Sequence, residues 1–191
     1  VGGNIWQFRL NIDDSIMAEA FSRVIAEENE TVVIVGSNDD YGRGAADAFT
    51  AHLTELGTTI LSTEFYQRGQ TDYRPLATTI KDLDPDGLIM IADAPDAAPF
   101  AVQLWEAGVR DLNVYGRGTV VTPEFLELTG DPAIWNGAKE VNRWAPSDSQ
   151  FEQDYAAMWG RQPRVTGALP YYGIYVLKEA IEICGEITGD L

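Results

Sequence analysis

The stretch TVVIVGSNDDYGRG, residues 31–44, decides the predicted fold. Its β-branched beginning, residues 31–35, is typical of a buried strand, and a helical pattern opens just after Gly44. In an open parallel sheet, ligands bind beyond the carboxyl ends of the strands, where loops meet helix N-termini. Tyr41 lies in such a loop and is therefore a candidate ligand contact. The alternative is an ordinary strand–turn–helix joint with Tyr41 packed on the surface.

The same strand-then-helix pattern repeats along the chain. Short apolar runs at residues 59–66, 88–91 and 114–115 alternate with helical patterns. Four successive β-then-α units predict an α/β fold with a parallel, doubly wound sheet. A first helix precedes them, with an apolar face formed by Ile16, Met17, Ala20, Phe21, Val24 and Ile25.

The pattern changes after Gly137, where residues 138–144 have the character of an extended crossing segment. Two helical patterns follow. The first carries Phe151, Tyr155 and Trp159 on one side, and the last, about residues 169–187, carries an apolar stripe of Ile174, Leu177, Ile181 and Cys184. This stripe predicts that Cys184 is a buried structural thiol and not a nucleophile.

Length and composition limit the function classes. The chain has 191 residues, 45% of them hydrophobic, which is enough for a substantial core in one large domain or two small lobes. Its 30 acidic and 13 basic residues give a formal net charge of -17. Nucleic acid is excluded as a partner, because binding it requires a basic surface. No apolar run reaches the roughly 18 residues that a bilayer-spanning helix needs.

Motifs of catalysis and cofactor binding are missing. The single histidine, His52, falls inside a helical pattern, and no Cys/His cluster has zinc-site spacing. There is no G-x-S-x-G elbow, no P-loop and no G-x-G-x-x-G dinucleotide loop. Gly42 and Gly44 would still bring backbone close to a ligand or to a neighbouring strand. We therefore predict no cofactor, no metal and no enzymatic activity.

Three loops at predicted strand ends supply the candidate binding groups: residues 37–41, 92–96 and 116–120. They offer a phenol from Tyr41, a carboxylate from Asp93 and a guanidinium from Arg117. Because parallel strands present their carboxyl ends at one edge, these groups could converge. The set suits a grip on a small polar molecule and lacks a nucleophile paired with a base.

An ordered series of short motifs adds a family resemblance over nearly the whole chain. In chain order, the motifs are Phe8-Arg9-Leu10 with Asp13, the stretch 39–44 (DDYGRG), Glu55-Leu56-Gly57, the stretch 69–73 (GQTDY), Asp84-Pro85-Asp86, Gln103 with Glu106-Ala107-Gly108, and Phe151 with Tyr155. In these motifs the chain resembles the leucine/isoleucine/valine-binding protein family. These are type I periplasmic solute-binding proteins of branched-chain amino acid ABC transporters.

The resemblance implies a two-lobed protein that closes on a small-molecule ligand by hinge motion and delivers it to an ABC transporter permease. It implies that residues 1–140 form the second lobe and that residues 141–191 form a crossover and C-terminal helices returning to a first lobe. That first lobe would precede this chain, so the resemblance predicts an incomplete protein. Without it, the tail would need another partner, and a second copy of the chain is one. A periplasmic or extracellular location, with a lipid anchor as an option, is also implied.

The family's ligand contacts carry over to particular positions. Tyr41 matches an aromatic residue that touches the ligand, and Asp93 with Ala94 matches a ligand-facing loop. Near Arg117 and Gly118, amino-acid binders place an acidic residue that holds the ligand's ammonium, and this chain has none there. Asp93 could take over the ammonium, Arg117 could hold a carboxylate of another organic acid, or the two could pair as a structural bridge.

Two other functions remain open at this level. The same fold serves as the ligand-binding domain of sensory receptors and regulators, which a signalling domain in the full-length gene would favour. A Rossmann-like enzyme is the third hypothesis, and the missing phosphate loop and catalytic clusters count against it.

Overall fold

A computed structural model describes residues 8–118, 120–142 and 147–185. The chain divides into two compact units, Asp13–Val141 on the one hand and Val1–Ile12 with Asn142–Leu191 on the other. Their assignment to lobes of a larger protein remains a prediction. Within the described residues, no helix combines the length and apolar character that crossing a bilayer requires.

The first unit alternates helices and strands as predicted. In chain order its elements are α1 (Asp14–Glu28), β1 (Thr31–Ser37), α2 (Asp40–Glu55), β2 (Thr59–Tyr66), α3 (Arg74–Leu83), β3 (Gly87–Ala92), α4 (Ala94–Glu106), β4 (Asn113–Gly118), α5 (Pro123–Thr129) and β5 (Lys139–Glu140). The strands form one sheet in the order β2-β1-β3-β4-β5, and every neighbouring pair is parallel. The α/β fold with a parallel, doubly wound sheet is confirmed.

Alternate residues of the central strands supply two separate cores, one on each face of the sheet. Val32 and Ile34 face a core that includes Phe21, Ile25, Phe49 and Leu53 from α1 and α2. Val33 and Val35 face the other core, which includes Tyr73, Ile80, Phe100, Leu104 and Phe125 from the region of α3, α4 and α5. Helices therefore cover both faces of the sheet. Ligands of such sheets bind at the carboxyl ends of the strands, where the loops leave the sheet.

Local signals explain where the helices begin and how they face the core. The Asp13 carboxylate caps α1 by accepting the backbone N–H of Ile16 at 3.1 Å. The predicted face of α1 is only partly correct: Met17, Phe21 and Ile25 are buried, whereas Ile16 and Val24 are exposed. The buried stripe is rotated by about one residue from the predicted one and includes Ala18 and Ser22.

The opposite, amino edge of the sheet is held by a polar network. The amide of Asn29 donates to the hydroxyl of Tyr115 at 2.7 Å, and that hydroxyl donates to the carboxylate of Glu28. Burial and the bond to Glu28 raise the pKa of Tyr115 to about 12. Asp86 accepts the backbone N–H of Thr31 at 2.8 Å. These contacts stabilise the end of the sheet remote from the carboxyl-edge loops.

The second unit contains α6 (Gln150–Trp159) and α7 (Val165–Cys184). Phe151 is buried and stacks on Tyr171, with ring centres 4.2 Å apart. Cys184 is exposed, so the prediction of a buried thiol is wrong. The rest of its stripe is exposed too: Ile174, Leu177 and Ile181. An apolar stripe does not by itself identify what covers it.

The predicted crossing segment, residues 138–144, contains the two-residue strand β5, which pairs with β4 at Tyr115 and Gly116. Arg143 and Trp144 lie outside the described residues.

Candidate ligand-binding site

The strand order defines one special position at the carboxyl edge of the sheet. The chain passes from β1 outward to β2 and then returns to β3 on the other side of β1. Loops that leave adjacent strands in opposite directions open a crevice at this switch point, which is the usual ligand site of such sheets. Asp93 lies between β3 and α4, and β4 lies next to β3. The structure places Tyr41 in the first turn of α2 and Arg117 with Gly118 at the end of β4, so these three residues do not lie in loops as predicted.

The loop after β1 is built around the N-cap of α2. The Asp39 carboxylate accepts the backbone N–H of Gly42 at 2.9 Å and the hydroxyl of Ser37 at 2.8 Å. The bond from Gly42 first, and then the one from Arg68, lowers the pKa of Asp39 to about 2. A Cβ on Gly42 would lie 2.0 Å from the Ser37 carbonyl oxygen. Gly42 therefore serves close packing of the helix on its strand, while Gly44 has open space around it.

Tyr41 and Arg117, which are 76 positions apart in the sequence, form a reciprocal contact. The Tyr41 hydroxyl donates to the Arg117 carbonyl at 2.9 Å, and Nη1 of Arg117 donates back to that hydroxyl at 3.2 Å. The guanidinium carbon lies 5.1 Å from the centre of the Tyr41 ring. Arg117 is only 6% exposed, whereas Tyr41 is half-buried. The tyrosine is thus fixed at the edge of the sheet, and the guanidinium supports it.

Gly118 occupies a backbone conformation that excludes side chains. Its φ is +140°, and a Cβ there would lie 2.1 Å from the carbonyl oxygen of Ala92 on the neighbouring strand. The same Cβ would lie 3.4 Å from the Tyr41 hydroxyl. With this backbone, no acidic side chain fits at position 118. The absence of an acidic residue at position 118 is therefore a consequence of the local backbone geometry and not only of the side-chain identity.

Asp93 and Ala94 begin α4 and have different environments. Ala94 is fully buried in the core. Asp93 is the N-cap residue, but its side chain makes no hydrogen bond to the helix it precedes. Its Oδ2 accepts a hydrogen bond from Nη1 of Arg68 at 2.8 Å, and the Asp93 side chain is 55% exposed. Among the described residues, no ion pair joins Asp93 to Arg117, so the structural bridge between these two is not present.

Sequence reasoning missed Arg68, which lies just after the end of β2. Its guanidinium pairs with two carboxylates, through Nε with Asp39 at 2.5 Å and through Nη1 with Asp93 at 2.8 Å. The two hydrogen bonds that Arg68 donates, first the one to Asp39 and then the one to Asp93, raise the pKa of Arg68. The guanidinium carbon is 5.7 Å from the Tyr41 ring centre. The available signal was its position, since Arg68 is the first basic residue after a strand at the same carboxyl edge.

A second contact attaches the Arg68 loop to α4. The buried carboxylate of Asp96 accepts the backbone N–H of Gly69 at 2.8 Å. Beneath it, burial raises the pKa of Tyr66, and the negative charge of Asp96 adds to this shift. The loops after β1, β2 and β3 are therefore joined by charged hydrogen bonds into one surface.

The site offers hydrogen-bonding and charged groups and no metal cluster. In the part of the chain that the structure describes, no group of three or more His, Cys, Asp and Glu side chains could hold a metal ion. The acidic side chains of Asp39 and Asp93 both pair with the guanidinium of Arg68. The arrangement can hold a polar ligand by hydrogen bonds, charge and an aromatic contact.

Comparisons with known proteins agree with this architecture. A family model described as periplasmic binding protein matches residues 3–190. BraC3 of Rhizobium johnstonii, a Leu/Ile/Val-binding protein, is 27% identical over 177 residues, which are 90% of this chain and 47% of that protein. An amino acid binding protein of Pseudomonas aeruginosa is 31% identical over 106 residues, 56% of this chain and 28% of that protein.

Solved structures show the same fold. The crystal structure of the leucine binding protein LivK of Thermotoga maritima superposes with a TM-score of 0.81 at 24% identity, covering 94% of this chain and 53% of that one. This chain therefore spans about half the length of BraC3 and LivK. The resemblance predicted from the sequence motifs is confirmed. Since the family model extends over residues 3–190 of the 191, this chain belongs to the periplasmic binding protein family.

Proposed function

We propose that this chain is the second-lobe part of an extracytoplasmic solute-binding protein that captures a small polar molecule for an ABC importer. One observation supports the proposal: at the carboxyl edge of a sheet that belongs to this family, Tyr41 contacts Arg117, and Asp93 pairs with Arg68. In the full-length protein, two lobes close on the ligand, and no bond is made or broken.

The lobe assignment is part of the same proposal. Residues 1–140 form the second lobe, and residues 141–191 return to the first lobe, which lies in the rest of the protein. The permease of the transporter recognises the closed, loaded form. The location is periplasmic or extracellular.

The ligand we favour is an amino acid, held through its ammonium by Asp93. The Asp93 side chain is 55% exposed at the carboxyl edge, whereas Arg117 is 6% exposed and supports Tyr41. An exposed carboxylate attracts an ammonium, and a charge-assisted hydrogen bond between them is strong and directional. The names of BraC3 and LivK, a Leu/Ile/Val-binding and a leucine binding protein, support this ligand class.

A small organic acid is the second candidate, and one structural neighbour favours it. A solute binding protein from R. palustris, solved in complex with benzoate, has a TM-score of 0.79 at 16% identity and covers 93% of this chain and 50% of that one. In this case Arg117 would hold the carboxylate.

The test is a calorimetric screen on the full-length protein that contains this chain. It compares amino acids with the same carbon skeletons lacking the amine, such as leucine with 4-methylpentanoate. We expect tight binding of an amino acid that survives Arg117→Ala and is strongly weakened, but still measurable, in Asp93→Asn. Asp72→Asn is the matched control, because Asp72 is also an exposed carboxylate paired with an arginine. Binding of the deaminated analogue that disappears in Arg117→Ala alone would support the organic-acid ligand instead.

A further inference from the structure

We propose that Arg68 is a positioning residue of the binding site, an inference that rests on the proposed function. It holds the Asp93 carboxylate and the first turn of α2, which carries Tyr41, in the arrangement that receives the ligand. Three loops that leave three different strands depend on this one side chain.

The geometry of the guanidinium is suited to the task. Nε and Nη1 donate in fixed, different directions, to Asp39 Oδ2 at 2.5 Å and to Asp93 Oδ2 at 2.8 Å. The two carboxylates belong to the loops after β1 and β3, which flank the switch point. Arg68 itself follows β2. A lysine has a single ammonium and cannot reproduce this planar fork.

The orientation of the Asp93 carboxylate depends on its ion pair with Arg68. As the N-cap residue of α4, Asp93 would ordinarily turn its carboxylate back to the N–H groups of the first helical turn. Pro95 has no N–H to donate, and the N–H of Asp96 donates to the backbone carbonyl of Asp93 at 3.1 Å. The carboxylate points instead to Arg68. Removing the guanidinium therefore removes the hydrogen bond that fixes the orientation of the Asp93 carboxylate.

Arg68 also acts on the first turn of α2, which carries Tyr41, through the N-cap residue Asp39. One oxygen of Asp39 caps α2 at Gly42, and the other pairs with Arg68. Tyr41 lies between these residues, in the first turn of α2, with its ring centre 5.7 Å from the Arg68 guanidinium carbon. Arg68 therefore preorganises an acidic and an aromatic ligand contact together, which reduces the ordering that the ligand must impose.

Isothermal calorimetry on the full-length protein tests the inference. L-leucine and benzoate are the probes, and the tighter binder is used for all variants. We expect Arg68→Met, which keeps the length and removes the charge, to weaken binding about tenfold. Arg68→Lys should recover part of the loss. The matched control is Arg74→Met, because Arg74 is also an exposed arginine that pairs with a nearby aspartate, Asp72; its affinity should stay within about twofold of wild type.

A double-mutant cycle separates positioning from a general structural effect. If Arg68 acts through Asp93, Arg68→Met should weaken binding much less in an Asp93→Asn background than in the wild type. Unchanged or tighter binding in Arg68→Met, or an undiminished loss in the Asp93→Asn background, would overturn the inference while leaving the proposed function intact. A wild-type protein that binds no amino acid and no deaminated analogue in the calorimetric screen would overturn the proposed function, and this inference with it.

Discussion

Replacing Gly118 with alanine tests the geometry of the site directly. A φ of +140° strains any residue with a Cβ, at about 1–3 kcal/mol. The new Cβ would lie 2.1 Å from the Ala92 carbonyl oxygen, and real Cβ atoms do not approach within 3.0 Å. The backbone must then shift by roughly 1 Å, which disturbs the end of the β3–β4 pairing at about 1 kcal/mol. We expect Gly118→Ala to lower the free energy of unfolding by about 2–4 kcal/mol.

Urea unfolding followed by circular dichroism measures this change, and Gly44→Ala is the matched control. Gly44 lies in α2, and a Cβ added there would meet nothing within 4 Å, so alanine should stabilise the protein by about 0.5–1 kcal/mol. The two identical substitutions should therefore move stability in opposite directions. A loss below about 1 kcal/mol in Gly118→Ala would refute the argument from strain and close approach.

Three further results are expected. Asp39→Ala should destabilise the protein by about 1–2 kcal/mol and Asp39→Asn by less, because asparagine still caps a helix. The pKa of Asp39 in the folded protein, about 2, lies below the ordinary value of 3.8, so the stabilisation by its charge is present above about pH 4 and is lost as the pH falls toward 2. The free energy of unfolding of Asp39→Asn, measured in urea, should therefore depend less on pH in that window than that of the wild type. Tyr41→Ala should weaken ligand binding by about 1–3 kcal/mol in calorimetry on the full-length protein, and unchanged affinity would remove Tyr41 from the site. This chain alone should self-associate through the exposed apolar residues of α6 and α7, including Trp159, Ile174 and Leu177, and a monomer in sedimentation at micromolar concentration would contradict this.

The strands and helices of the first unit could be predicted because their signals are local. The β-branched residues 32–35 are buried on both faces of the sheet, and the two cores that alternate along β1 explain why no polar residue interrupts them. Caps such as Asp13 and Asp39 act within three residues of their own position. The strand ends are less well predicted, since β4 continues to Gly118 and Arg117 therefore lies in the strand and not in the predicted loop.

Solvent exposure was harder to predict than helix formation. The stripe of α7 that contains Cys184 is helical as expected, yet it is exposed. Periodicity indicates that a face is apolar and does not indicate what packs against it. The stripe of α1 differs from the prediction for the same reason, since the rotation of a helix depends on the neighbours it packs against.

Tyr41, Asp93 and Arg117 could be assigned to the carboxyl edge from the sequence, whereas Arg68 and the pairing of these residues could not. Arg68 and Asp93 are 25 positions apart and Tyr41 and Arg117 are 76 apart, so nothing in either neighbourhood signals the contact. The order of the strands brings these loops together, and side-chain geometry then selects Arg68, rather than Arg117, as the partner of Asp93. Short-range pattern thus determines the type and order of the elements, whereas ion pairs and the positive φ of Gly118 depend on the distances between strands that only the folded chain establishes.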